Sequence, residues 1–161
     1  MELIKKPILA IIIMSILWGY GWTSLKVGLI DAPPFKLTAL RLTLSAMFLL
    51  LLLPLTGRSF IPPRLKELFL LGFVHTSLLF CLSTWAVSEG SAGRVAFMVY
   101  TMPFFTILFA RIFLSEIIER LQWVAIVAAA IGLVLIVQPW GFHGNHLSSA
   151  LSVGAGIVWA L

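Results

Sequence analysis

The chain has 161 residues, 61% of them hydrophobic and 11% charged, with a formal net charge of +5. A soluble domain carries about 25% charged residues, so 11 Lys and Arg with 6 Asp and Glu cannot clothe a globule of this size and the surface must meet lipid. The basic residues stand singly or in pairs between apolar runs and form no stripe for a phosphate backbone, which excludes a nucleic-acid partner.

Five apolar runs approach the roughly 20 residues that a bilayer core requires. They are Pro7–Ile30, Pro34–Leu55, Leu68–Ser88, Val95–Ser115 and Leu121–Gln138, and a sixth begins at Leu147 and is still apolar at Leu161. The expected fold is all-α, a multi-spanning membrane helix bundle of five transmembrane helices plus a partial sixth. Turn chemistry marks the breaks at Asp31-Ala-Pro-Pro, Thr56-Gly-Arg-Ser, Ile61-Pro-Pro, Glu89-Gly-Ser-Ala-Gly and Pro139-Trp-Gly. The opening Lys5-Lys6-Pro7 and the run Ile8–Trp18 mimic a signal peptide. No small-residue cleavage site ends that run cleanly and further spans follow, so it reads as a retained first helix.

In the first span, Trp18 of the segment Trp18-Gly-Tyr-Gly-Trp22 lies roughly 16 Å in from Pro7. That is mid-bilayer, far from the headgroup belt where Trp usually sits. Ser15, Gly19, Trp22 and Lys26 share one face, which suits either close helix packing or a ligand wall. Lys26, near the outer end, is expected to snorkel to water. In the second span Arg41 is the most informative residue. A charge at depth costs at least about 2.5–3.5 kcal/mol on insertion scales, and normally faces a polar cavity or a partner. Thr38, Arg41 and Ser45 make one polar stripe, which favours the cavity over an Arg reaching outward.

The third span adds His75 and a stripe of Ser77, Cys81, Thr84 and Ser88. An imidazole titrates near neutrality and suits a proton shuttle, but without a carboxylate at its depth it reads rather as a hydrogen-bonded packing residue. The lone Cys81 excludes an internal disulfide and a Cys-based zinc site. In the fourth span Tyr100-Thr-Met-Pro103 places a proline mid-helix, freeing a carbonyl that a neighbouring helix or a cavity must satisfy. Glu116 is positioned to pair with Arg120 one turn later. Ala125, Ala128, Ala129 and Gly132 in the fifth span are packing surfaces. No catalytic motif and no paired intramembrane carboxylates occur, so neither an enzyme nor a bound cofactor or metal is expected.

With the N-terminus in the cytoplasm, the inner segments hold Lys5, Lys6, Arg58, Arg64, Lys66, Arg111 and Arg120, against Lys26, Lys36 and Arg94 outside. That bias of seven to three sets the orientation. The sixth run covers only about 22 Å and looks truncated. Its Gly156-Ile-Val-Trp-Ala is similar to Ser15-Ile-Leu-Trp-Gly in the first span. A second repeat entering after five spans would have inverted topology.

Trp18-Gly, Lys26, Pro34 and Arg41, followed by Pro103, Glu116, Gln122 and Gly132, resemble in order and spacing the EamA-type members of the drug/metabolite transporter superfamily. Ala125 departs from the Gly usual there. The resemblance implies two five-helix inverted repeats around a central site and export of small metabolites, amino acids or toxic compounds. Here residues 1–138 would form the first repeat, 139–146 an external loop and 147–161 the start of a truncated second repeat. It further implies a multi-pass inner-membrane protein whose partners are the lipid bilayer and a small-molecule substrate. Trp18, Trp22, Arg41, His75, Tyr100 and Pro103 are the candidate substrate-binding residues. The competing readings are a non-transporting membrane fragment and a half-size subunit that works as a homodimer or with a complementary half.

Overall fold

The computed structural model describes residues 2–57, 64–117, 119–137 and 145–161. Arg58, the Ile61-Pro-Pro turn, Gln138 and the Pro139-Trp-Gly turn lie outside the described residues, as do the side chains of Lys5 and Lys6. Helix α1 (Glu2–Gly28) is followed by α2 (Pro34–Leu52), which ends in a 3-10 turn at Leu53–Thr56. The third span is one rod made of α3 (Leu65–Leu71), a π-helical segment Gly72–Leu78, and α4 (Leu79–Glu89). The fourth is broken into α5 (Ala92–Val99) and α6 (Met102–Phe113), after which come α7 (Arg120–Val137) and α8 (His146–Ala160).

Four of these stretches are long and apolar enough to cross a bilayer: Pro7–Gly28, Pro34–Thr56, Leu65–Glu89 and Ala92–Phe113. The apolar α7 is shorter but still reaches about 27 Å at 1.5 Å per residue. α8 is the short sixth helix. The molecule is an all-α, multi-pass membrane helix bundle.

Burial concentrates at the end of the bundle where α4 turns into α5 through Gly90-Ser91. There Leu25, Ala86, Val87, Val95, Val99, Leu151 and Ala155 form the core. Helix α8 wedges against α4, α5 and α6. Its N-terminus is fixed by Asn145, whose side-chain oxygen accepts from the Ser148 backbone N–H at 3.2 Å. The Asn145 amide also donates to the Glu89 carbonyl and carboxylate at 2.9 and 3.2 Å. The Ser148 hydroxyl donates to the Ala86 carbonyl at 2.8 Å, and a Cβ on Gly90 would overlap that hydroxyl.

Lys26 is exposed, and its course to the surface also caps a neighbouring helix. Its ammonium donates to the Val87 and Gly90 carbonyls at 2.9 and 2.8 Å. These carbonyls are at the C-terminal end of α4, where the helix leaves acceptors unpaired and its dipole favours a cation. Lys26 near the end of α1 and Asn145 at the start of α8 thus meet the same end of α4, so α1 and α8 run in opposite senses.

Pro103 is placed otherwise than a mid-helix proline. It occupies the first turn of α6, where a missing N–H is no loss, and the chain breaks just before it at Tyr100-Thr101. The Val99 carbonyl thereby loses its helical donor. Gly156 of α8 closes on that point: a Cβ there would stand 3.1 Å from the Val99 carbonyl oxygen and 3.2 Å from the Thr101 hydroxyl. Nor does Glu116 pair with Arg120. Glu116 lies outside both helices, so one-turn spacing does not apply, and the Arg111 guanidinium instead donates to the Glu116 carbonyl at 3.0 Å.

Candidate functional site

Beneath the packed end lies a cavity of about 380 Å³. Leu25, Leu79 and Val99 belong both to the core and to its wall. Helix α1 contributes Trp18 and Trp22, α2 contributes Arg41, and the π-helical segment contributes His75 and Thr76. Phe80 and Ser83 follow on α4, and Trp159 faces in from α8.

The aromatic side of this wall is continuous. Trp18 and Trp159 stack with ring centroids 6.1 Å apart. Trp159 lies 6.0 Å from Tyr100, which meets Trp22 edge-on at 6.3 Å and accepts its indole N–H at 3.3 Å. Aromatic faces carry negative potential and attract cations.

Arg41, half-buried, lines the same cavity. Among the described residues no carboxylate forms an ion pair with Arg41. Thr38 and Ser45, its companions on the stripe, line a smaller cavity of about 110 Å³ on its other side. The Thr38 hydroxyl is held by the Pro34 carbonyl at 2.9 Å.

Of the six candidate residues, the cavity gathers Trp18, Trp22, Arg41 and His75 on its wall. Tyr100 stands behind Trp22 and Trp159, and Pro103 is exposed and contributes only through the break it imposes. Three wall features escaped the sequence reading. Trp159 was signalled only by the likeness of its segment to that of Trp18. Phe80 and Thr76 looked like ordinary apolar-span residues. The π-helical turn, a wider coil found frequently at functional sites, carries both His75 and Thr76 and had no compositional mark.

A second hollow, of about 510 Å³, runs along Ala10, Ile13, Met14, Leu17 and Trp18. One helix alone bounds it and no charged group faces it, so it is the open flank of α1 rather than a site.

Residues 5–138 match the model of the EamA-like transporter family. The chain belongs to this family. Among its EamA-like relatives is the uncharacterized transporter YoaV of Bacillus subtilis, 29% identical over 81% of this chain and 46% of the relative. The uncharacterized inner membrane transporter YedA of Escherichia coli K12 is 27% identical over 94% of this chain and 50% of its own length. A Salmonella typhimurium protein named "probable amino-acid metabolite efflux pump" is 28% identical over 97% and 51%. The chain spans about half the length of the curated relatives it matches. No solved structure matches it.

Proposed function

We propose that this chain supplies one half of a secondary transporter that exports a small anionic or zwitterionic metabolite across the inner membrane. The observation that carries the reading is Arg41, a cation within a span, unpaired by any described carboxylate and lining a cavity walled by Trp18, Trp22 and Trp159. Its guanidinium suits a carboxylate or similar anion through paired N–H donors. The aromatic wall suits an ammonium or an apolar body. Export of an amino-acid-like compound is favoured by the name of the Salmonella relative.

The N-terminus is cytoplasmic in this reading, from the positive-charge bias. Residues 1–138 form the first repeat and 147–161 open a second, inverted one. Support for inversion comes from the opposite senses of α1 and α8 and from the meeting of Trp18 with Trp159 at matching positions of two similar segments. Alternating access then requires a facing repeat.

The alternative is a membrane fragment that does not transport. Reconstitution of the 161-residue protein separates the readings, with crosslinking for assembly and counterflow of a labelled amino acid for transport. A crosslinked dimer with counterflow supports the half-transporter. A monomer without counterflow supports the fragment. Single cysteines at Thr56 and Ser91 in a Cys81→Ser background test orientation with an impermeant thiol reagent. Ser91, not Thr56, is expected to label from outside.

A further inference from the structure

Two cavities share a wall. Arg41 and Phe80 line both the main cavity of about 380 Å³ and the smaller one of about 110 Å³, whose remaining lining is Thr38, Leu42 and Ser45. Arg41 reaches this boundary from α2, Phe80 from the first turn of α4 directly after the π-helical segment. Arg41 and Phe80 are thus the two residues common to both linings, one a charged side chain and the other an aromatic ring. A charge that holds the ligand's anionic group cannot also be the element that yields to ligand size. That leaves the ring.

We propose that Phe80 determines substrate specificity by length, closing the small cavity to any ligand anchored on Arg41. This rests on the reading of the Arg41 cavity as the substrate site. A compound whose anionic group meets the guanidinium has its body beside the Phe80 ring. Short bodies stay in the main cavity and are indifferent to the ring. Longer ones meet it end-on and gain nothing from further methylenes. With the ring removed, the extra length enters the space beside Leu42. Each methylene taken from water there raises affinity by about fourfold, corresponding to the usual ~0.8 kcal/mol per buried CH₂.

The test uses the purified 161-residue protein in nanodiscs and the emission of the wall tryptophans as readout. The probes are L-alanine, L-norvaline, L-norleucine and L-2-aminooctanoate, which share one ammonium and one carboxylate and differ in methylenes. Wild-type affinity should stop rising within the series. In Phe80→Ala the rise should continue to the longest member. Phe80→Leu, a smaller truncation that keeps the fold if Ala does not, should shift the break in the same direction by less. An unchanged break in a folded variant whose wild type binds overturns the role of Phe80 alone. If no probe perturbs wild-type emission, the reading of the cavity as a substrate site falls, and the role of Phe80 with it.

Discussion

The indole rings of Trp18 and Trp159 lie 17° from parallel with centroids 6.1 Å apart, joining α1 to α8. Ring pairs of this kind contribute about 0.5–1.5 kcal/mol beyond their burial. A thermal-unfolding double-mutant cycle on Trp18→Ala and Trp159→Ala should return a coupling in that range. Strict additivity would mean that the stack is incidental to the docking of α8.

Lys26 closes the same end of the bundle by capping α4. Replacing it with Met removes two charge-assisted bonds and leaves carbonyls at a helix terminus without their cation. Stability in detergent should fall by about 1–2 kcal/mol, and Lys26→Arg should restore part of it. A Met variant that melts with the wild type would return Lys26 to the role of a charge reaching water.

Gly156 sits where α8 crosses the break in the fourth span. Its missing side chain admits the Val99 carbonyl, which as backbone cannot retreat freely, and the Thr101 hydroxyl, which donates to the Met98 carbonyl at 2.7 Å. Gly156→Val should therefore push α8 off α5, destabilising the protein by about 1–3 kcal/mol as overpacking does. Trp159 would leave Trp18, and indole emission should report the change. Unaltered emission and melting would contradict the close approach.

Much of the architecture was legible because lipid leaves the sequence little choice: a span must be an apolar, largely helical run, and a charge such as Arg41 must have a reason to be there. Arg41, Trp18, Trp22 and His75 reach one cavity from three elements whose apolar runs gave their positions. What stayed hidden depended on pairing between distant segments. Lys26 finds carbonyls more than sixty residues on, and nothing in its own span announces them. The π-helical segment has no proline or glycine cluster to mark it, so the turn carrying His75 and Thr76 was read as plain helix. Pro103 was seen, but its physical effect was misplaced, because a proline in the first turn of a new helix ends the old one rather than bending it.

The most direct measurement of the central claim sets a carboxylate against its amide. Purified protein is titrated with L-norleucine and with L-norleucinamide, which keeps the ammonium and side chain but loses the negative charge. If Arg41 holds the anionic group, the wild type should bind the acid at least about tenfold more tightly, as expected for a charge-assisted bidentate contact. Arg41→Ala should abolish that preference while keeping its fold and expression. Equal binding of acid and amide by the wild type, or a preference that survives in Arg41→Ala, would contradict it.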